Sequence, residues 1–469
     1  MKTIVGQLVA ASLLAGSLPA AAQAPVVDAK AAKAAAKAAE KHMRELRRQY
    51  GEGPYPEEID AYVAKRPEAL RPLYRLLYTQ GEHVAVLNFQ RIGLAAMELG
   101  YYKEAEVALD QALQRIEAIY AKDAQAEKAR SLFRKESNKD YKGEPYERAM
   151  AFYYRGLLYL RAGDFENARA AFESAEFQDT VSEEENHQSD FAAMDYLSGW
   201  ASHCLGQTAR AKDAFQAAAK ANERLVPPSA DANTLFIAEL GAAPLKVRAG
   251  SQKELLSFEQ AKTFDEDDVV FDVVGKDAVT EYQALLASSV WEQASTRGGR
   301  PIQGILNGKA QFKSTTGAVG DAAMSASNAV MQQALTSNDS GLGQAGMIGM
   351  GLGLLFKAAS SAARADADIR AWDNLPDALM LTTAHVEGNG FKATPRYFAK
   401  KTLLSLGDRP VMQATNGRCT IVWARSRTAA GLTEMAPGID AGVLKSRAKS
   451  RPAVEKDKQF RATLASLES

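Results

Sequence analysis

The stretch AMAFYYRGLLYLRAGDFENARAAFESAEFQDT, Ala149 to Thr180, has two counterparts elsewhere in the chain. They are VLNFQRIGLAAMELGYYKEAEVALDQALQRIE, Val86 to Glu117, and AAMDYLSGWASHCLGQTARAKDAFQAAAKANE, Ala192 to Glu223, and the three segments align without a gap. Two positions seven residues apart hold glycine in every copy: Gly93 and Gly100, Gly156 and Gly163, Gly199 and Gly206. Three later positions hold an alanine, a large apolar residue and a second alanine. They are Ala105, Leu109 and Ala112 in the first copy along the chain; Ala168, Phe172 and Ala175 in the second; and Ala211, Phe215 and Ala218 in the third.

This repeated pattern predicts three helical hairpins. The first glycine suits a place where two helices cross closely, and the second suits the residue that ends the first helix. The large apolar residue would then fill the space at the crossing. One hairpin cannot bury its apolar face alone, so neighbouring hairpins are expected to stack. Three unrelated hairpins are the alternative.

The pattern resembles the tetratricopeptide repeat (TPR), a helical hairpin of about 34 residues. The resemblance covers residues 82–225 and implies an N-terminal all-α superhelix of about three repeats. Gly93 and Gly156 are 63 residues apart, whereas Gly156 and Gly199 are 43 apart. The longer spacing predicts an insertion at about residues 120–146.

The N-terminus has the features of a secretory signal peptide over residues 1–22. Lys2 is the basic part, Ile4 to Leu18 the apolar part, and Ala20 to Ala22 a small-residue cleavage site. These features predict export to the periplasm with the signal removed. An uncleaved membrane anchor, and membrane association of the mature protein, are the alternatives.

The chain contains only two cysteines, Cys204 and Cys419. Export would allow a disulfide to form. However, Cys204 falls in a repeat helix and Cys419 in a strand-like run far along the chain, and no feature of the sequence brings them together. The sequence therefore predicts two free thiols.

Residues 23–81 are expected to form a basic, Ala-rich helical arm followed by leading helices. The arm, Asp28 to Tyr50, has an excess of basic residues: Lys30, Lys33, Lys37, Lys41, Arg44, Arg47 and Arg48. Alanine favours helix even with few tertiary contacts. The arm is interpreted as a solvated helix, and contact with an anionic membrane or an acidic partner is the alternative.

Residues 226–430 predict a mixed domain of helices and antiparallel strands, so the fold class is α+β. Val269 to Val274, Leu379 to Val386, Pro410 to Ala414 and Arg418 to Arg425 have the composition of strands. Asn307-Gly308 predicts a hairpin turn between two further strands. Residues 431–469 are expected to be a charged tail with a last helix at Lys456 to Leu467.

Several short motifs in both halves carry a wider resemblance. They are Asn138 to Arg148, Ala243 to Lys246, Ala367 to Trp372, and Leu375-Pro376. Together with the repeats, these motifs are similar to those of a poorly characterised family of exported bacterial TPR proteins with a C-terminal β-containing domain. The resemblance extends from Glu82 to about Arg425. It implies a fold and a compartment, but no reaction, cofactor or catalytic residue.

Residues 341–356 form a Gly-rich stretch without a charged residue. A helix of this length spans about 24 Å, which is short of a hydrocarbon core of about 30 Å. A buried helix inside the C-terminal domain is one interpretation, and insertion into a membrane or self-association is the other. Gly341 to Gly346 also matches a dinucleotide-binding pattern, but no strand is predicted before it, as that site requires.

The sequence predicts no catalytic, metal or cofactor site, and hence no enzyme. The five histidines (His42, His83, His187, His203, His385) are scattered, and no pair has the i, i+4 spacing of a helical metal site. Asp265 to Asp268 is acidic but lacks the glycine and terminal glutamate of a calcium loop. Basic and acidic residues number 57 each, which gives no overall attraction to nucleic acid or to anionic lipid.

The remaining function is protein binding. In a TPR stack the first helix of each hairpin lines a concave groove, and carrying those positions over gives nine residues: Gln90, Leu94, Met97, Tyr153, Leu157, Arg161, Tyr196, Trp200 and His203. Tyr, Trp and Arg are typical of binding hot spots. In the alternative, the insertion or the C-terminal domain covers these side chains. The Lys and Asn set of TPRs that bind chaperone tails is missing.

The sequence as a whole predicts a non-enzymatic, exported scaffold or adaptor of the bacterial cell envelope. It would bind a protein or peptide partner in the groove. The alternative is a membrane-associated assembly protein that inserts or oligomerises through residues 341–356.

Overall fold

The structure is a computed structural model, and it describes residues 29–123, 140–180, 191–249, 255–261, 265–275, 278–296, 368–388, 390–427, 444 and 451–467. The predicted signal peptide, most of the predicted insertion, the Asn307-Gly308 turn and the Gly-rich stretch 341–356 lie outside these ranges. The described part contains helices and β-sheets, as expected for an α+β fold.

The N-terminal part begins with α1 (Ala29–Tyr50), the predicted arm. Two shorter helices follow, α2 (Pro56–Ala64) and α3 (Arg71–Gln80), each with proline in its first turn, where a missing N–H costs nothing. A short 3₁₀ turn at Glu68–Leu70 lies between α2 and α3, and another at Glu82–Val84 leads into the first repeat.

Each of the three repeats forms a helical hairpin. The first pairs α4 (Ala85–Glu98) with α5 (Tyr102–Asp123), the second α6 (Pro145–Ala162) with α7 (Phe165–Thr180), and the third α8 (Ala192–Cys204) with α9 (Thr208–Ala221).

The repeat glycines make the same contacts in all three hairpins. A Cβ atom on Gly93, Gly156 or Gly199 would lie 2.5–2.8 Å from the nearest carbon of Leu109, Phe172 or Phe215, respectively. Gly100, Gly163 and Gly206 end the first helices with φ near +80°, +78° and +74°, the left-handed conformation that favours glycine. The spacing of glycines in the sequence therefore has the expected structural cause.

The C-terminal part contains eleven strands within the described ranges. They are β1 (Thr234–Leu240), β2 (Leu245–Ala249), β3 (Leu255–Glu259), β4 (Asp268–Val274), β5 (Val279–Gln283), β6 (Leu285–Ser289), β7 (Ala378–Ala384), β8 (Lys392–Ala399), β9 (Thr402–Leu403), β10 (Val411–Asn416) and β11 (Cys419–Arg425). A short helix, α10 (Val290–Thr296), follows β6.

The strands form three sheets. The largest has the order β10-β11-β1-β7-β6, in which β1 runs parallel to β11 and antiparallel to β7. The second has the order β5-β4-β8-β9, and β2 and β3 form a separate pair. The predicted strands at β4, β7, β10 and β11 are confirmed, whereas β1, β2, β3, β5, β6, β8 and β9 were not predicted.

Strand β1 lies at the centre of a three-layer arrangement. Leu235 and Ile237 belong to the core shared with the helical hairpins. Phe236 and Ala238 point to the opposite face, where they pack with β4 of the second sheet. All seven residues of β1 are buried, because helices cover one face of the strand and a sheet covers the other.

The C-terminal tail is part of the folded body. Helix α11 (Arg451–Ser466) buries Phe460 and Leu464 in the core that contains the leading helices. Arg461 Nη1 donates hydrogen bonds of 2.9 Å to both carboxylate oxygens of Glu58. The predicted last helix is confirmed, but it begins earlier and is packed against the N-terminal part.

The prediction of two free thiols is wrong. Cys204, at the end of α8, forms a disulfide with Cys419, at the start of β11, and their Cα atoms are 5.9 Å apart. The two residues meet because the five-stranded sheet packs against the third hairpin, a long-range contact that local sequence patterns cannot reveal. The bond closes a loop across 215 residues of sequence.

None of the helices in the described ranges is both long enough and apolar enough to cross a membrane.

The hairpin crossing can be tested with Gly156→Leu. The larger side chain would overlap the Phe172 ring, so the free energy of unfolding should fall by ~1–3 kcal/mol. Ala162→Leu in the same helix, at an exposed position, is the matched control and should change stability by less than ~0.5 kcal/mol. Equal chemical denaturation curves for the two variants would contradict this packing.

The disulfide can be tested with Cys204→Ala, Cys419→Ala and the double variant. Each should lower the free energy of unfolding by ~2–5 kcal/mol, because the cross-link restricts the unfolded chain. The double variant should lose no more than either single one, since all three lack the same bond. Dithiothreitol should destabilise the wild-type protein and leave the double variant unchanged. A reductant-insensitive wild-type protein would contradict the bond.

Candidate functional site

Most of the nine side chains predicted to form a partner-binding groove are buried in the structure. Seven are buried, with at most 3 % of the residue exposed: Gln90, Leu94, Met97, Tyr153, Leu157, Tyr196 and Trp200. Arg161 and His203 are half-buried. Tyr153, Tyr196 and His203 contact the C-terminal part, whereas Gln90 contacts the second hairpin.

The polar atoms of the third hairpin identify what covers it. The Tyr196 hydroxyl donates to Val226 O at 3.2 Å and lies 3.1 Å from Thr383 Oγ1 on β7. His203 Nε2 lies 2.8 Å from Ala232 O, just before β1, and the imidazole stacks on Trp200. Burial lowers the pKa of His203, so its ring is neutral and donates to this carbonyl.

A buried carboxylate on β1, Glu239, joins the second hairpin to the sheet. Its Oε1 accepts hydrogen bonds from the Tyr153 hydroxyl at 3.1 Å and from Trp423 Nε1 at 2.9 Å. Its Oε2 accepts one from the Tyr154 hydroxyl at 2.9 Å. The side chain has no exposed surface, so these donors replace the water that a carboxylate would otherwise require.

The charge of Glu239 is balanced by Arg425 on β11. Arg425 Nε lies 2.8 Å from Glu239 Oε2, and Arg425 Nη1 donates to Glu98 Oε2 of the first hairpin at 3.1 Å. Removal from water raises the pKa of the Glu239 carboxyl, and the positive charge of Arg425 opposes that rise. The same burial raises the pKa of the Tyr153 and Tyr154 hydroxyls, which keeps them protonated as donors. We call these side chains, with Trp423, the Glu239 cluster.

A second buried ion pair lies at the start of α6. Glu147 accepts a hydrogen bond from Lys246 Nζ on β2 at 2.6 Å and one from the Trp372 backbone N–H at 2.8 Å. It also accepts a hydrogen bond of 2.7 Å from the Glu144 backbone N–H, which completes a capping box at the N-terminus of α6. Glu147 and Lys246 have 0 % and 1 % of their side-chain surface exposed.

Two tyrosines and an arginine surround that ion pair. Lys246 Nζ lies 5.6 Å and 5.8 Å from the ring centres of Tyr141 and Tyr146. The Arg370 guanidinium lies 5.4 Å from the Tyr141 ring. Burial raises the pKa of both tyrosine hydroxyls. We call this group the Glu147 cluster.

A piece of backbone without helix or strand, residues 368–376, links the two clusters and turns at Asp373 and Asn374, and we call it the groove segment. Lys246 Nζ donates to Arg370 O at 2.9 Å, and Arg91 Nη2 of α4 donates to Ala371 O at 3.2 Å. Arg91 also binds both carboxylate oxygens of Asp373, at 2.7 Å and 3.0 Å. Arg425 Nη2 donates to Asn374 O at 2.6 Å.

The side chain of Trp372 anchors this segment. It has no exposed surface, and its ring lies 5.6 Å from that of Tyr154 in α6. The groove segment thus lies against the first helices of the first two hairpins and is held through both backbone carbonyls and side chains.

The motifs that carry the wider resemblance meet at this place. Their described parts include Glu147 and Tyr141 from the first motif, Lys246 from the second, and Arg370 with Trp372 from the third. Sequence reasoning recorded these motifs without placing them together. Glu239 was missed altogether, although an acidic residue inside the apolar run TLFIAEL is a signal of a buried, paired carboxylate.

The chemistry of the site is that of a fixed framework. The side chains of Glu239, Arg425 and Glu98 are at most 4 % exposed, so no substrate reaches them while the sheet covers the hairpins. Within the described ranges, no three His, Cys, Asp or Glu side chains are grouped to hold a metal ion.

Comparison of the chain with protein-family models, curated proteins and solved structures finds no match.

The Glu147–Lys246 ion pair can be tested against an exposed pair of the same type. Lys246→Met leaves the Glu147 carboxylate buried without its cation, which should lower the free energy of unfolding by ~3–5 kcal/mol. Lys456, 2.7 Å from Asp140, is half-exposed, so Lys456→Met should cost less than ~1 kcal/mol. Chemical denaturation measures both, and similar losses would show that burial does not determine the strength of the pair.

Proposed function

We propose that this protein is an exported, non-enzymatic scaffold of the bacterial cell envelope whose TPR-type hairpins bind a protein or peptide segment in their concave groove. In the resting protein the groove holds the chain's own groove segment. A partner segment has to replace it.

The observation that carries the proposal is how the first two hairpins, together with strand β2, hold the groove segment. Arg91 and Lys246 bind its backbone carbonyls, Arg91 pairs with Asp373, and the Trp372 ring enters the core. Carbonyl contacts, one charge pair and one aromatic anchor are also how a groove recognises a peptide of another protein.

The class and the compartment have their own support. The equivalent contacts of Gly93, Gly156 and Gly199 suit a TPR register. The Cys204–Cys419 disulfide suits an oxidising compartment, in agreement with the predicted signal peptide. The buried ionic groups are used for internal pairing, which suits a scaffold better than an enzyme.

The groove segment belongs to the same chain as the groove, and this connection determines how strongly it competes with a partner segment. A tethered segment acts at an effective concentration in the millimolar range, so a free peptide of equal affinity loses to it. The groove therefore becomes accessible only when the internal segment is weakened or the partner binds more tightly.

A peptide-binding experiment tests the groove. The probe is a fluorescent peptide with the sequence of residues 366–377, and the control peptide carries Trp372→Ala and Asp373→Ala. The full-length variant with the same two substitutions should bind the probe at least about 100-fold more tightly than the wild-type protein does, because its own segment is weakened. Fluorescence anisotropy measures both affinities.

A cooperative unfolding transition shows first that the variant is folded. If the folded variant binds probe and control peptide equally, or binds neither, the hairpins form an internal frame and not a peptide-binding groove.

Cell fractionation with thiol labelling tests the export part. In a bacterial host the tagged full-length chain should appear in the periplasmic fraction, and in denaturant neither cysteine should react with a maleimide before reduction. Deletion of residues 2–22 should leave it in the cytoplasm with both thiols labelled. Cytoplasmic recovery of the full-length chain would refute export.

A further inference from the structure

Helix α1 carries its basic residues in one narrow stripe. At 100° per residue, Lys30, Lys33, Lys37, Lys41, Arg44 and Arg48 fall within an arc of about 80° around the helix axis. A helix of 22 residues is ~33 Å long, so the stripe extends along most of that length.

The stripe points away from the folded body. Leu46 is the buried residue of α1, and Tyr50 packs against the core. On the helical wheel these two positions lie about 160° to 200° from Lys30, on the opposite side of the helix. All six residues of the stripe are exposed, and Arg44 and Arg48 keep 71 % and 79 % of their side-chain surface.

Acidic residues within α1 neutralise only part of this charge. Seven basic and two acidic residues leave α1 with a net formal charge of +5. Glu40 pairs with Arg44 and Glu45 with Arg48. Because the whole chain has no net charge, the rest of it carries −5, and positive charge is concentrated on this helix.

We propose that α1 is a docking surface for an anionic phospholipid bilayer. The helix lies along the membrane surface, with its six basic side chains at the level of the lipid headgroups. The binding is electrostatic and superficial, since alanine forms most of the remaining surface and no bulky apolar side chain precedes Met43.

The shape of the stripe favours a bilayer over a small anionic partner. A row of charges along ~33 Å matches a flat surface with many negative headgroups, and long lysine and arginine stems let the charges reach it. Each Lys or Arg near such a surface changes the partition coefficient about fivefold. The surface differs from the peptide groove, so the two proposals stand independently.

Vesicle sedimentation tests the proposal. Large vesicles of phosphatidylcholine with about 30 % phosphatidylglycerol are compared with pure phosphatidylcholine vesicles at low salt. The test variant is Lys33→Gln, Lys37→Gln and Lys41→Gln. The control variant removes the same charge from exposed positions on α9, with Arg210→Gln, Lys212→Gln and Lys220→Gln. All proteins are purified in the form that the cell produces, with the same N-terminus.

The wild-type protein and the control variant should bind the anionic vesicles and not the neutral ones. The test variant should bind the anionic vesicles roughly 100-fold more weakly, since it loses three charges. Raising the salt from about 0.05 M to about 0.5 M should release the wild-type protein. Far-UV circular dichroism confirms that the test variant keeps its helices.

Two results would overturn the proposal. One is that the test variant binds anionic vesicles as tightly as the wild-type protein does, or that the control variant loses as much affinity for them as the test variant. The other is tighter α1-dependent binding to duplex DNA than to the vesicles at the same salt, which would assign the stripe to a nucleic acid instead.

Discussion

The fold depends on the neutralisation of one buried negative charge. Glu239 sits in a strand covered by helices on one face and by a sheet on the other, where an unpaired carboxylate would cost several kcal/mol. Tyr153 and Tyr154 come from the second hairpin, and Arg425 from β11. The carboxylate is satisfied only when both halves of the chain are in place, so this contact specifies how the sheet sits on the hairpins.

The groove segment extends the same principle along the hairpins. Its carbonyls bind Arg91, Lys246 and Arg425, three cations that also pair with carboxylates. Each cation therefore joins a hairpin or strand to the segment and neutralises an acidic group at once. Such a network stabilises the fold more than the sum of its separate pairs, because loss of one member leaves the others buried without hydrogen-bond partners.

Local patterns in the sequence were enough for the hairpins, whose glycine spacing reflects contacts within about twenty residues of chain. They were also enough for strands with β-branched runs, such as β4. They failed for β1, since a strand buried on both faces lacks the alternation of apolar and polar residues. They failed at the site because its members, such as Glu147 and Lys246, come from distant parts of the chain. Nine groove positions were predicted from the repeat register, but the burial of seven of them depends on tertiary contacts that local patterns do not show.

The position of the two cysteines has a consequence for the order of assembly. If the chain is exported from its N-terminus, as proposed above, Cys204 meets oxidants 215 residues before Cys419 arrives. Since the chain has no third cysteine, the early thiol has no wrong partner within the molecule, and no disulfide isomerase is needed to correct a pairing. The Cys204–Cys419 bond can instead form only after β11 has packed against the third hairpin. The bond thus marks completion of the fold rather than guiding its early steps.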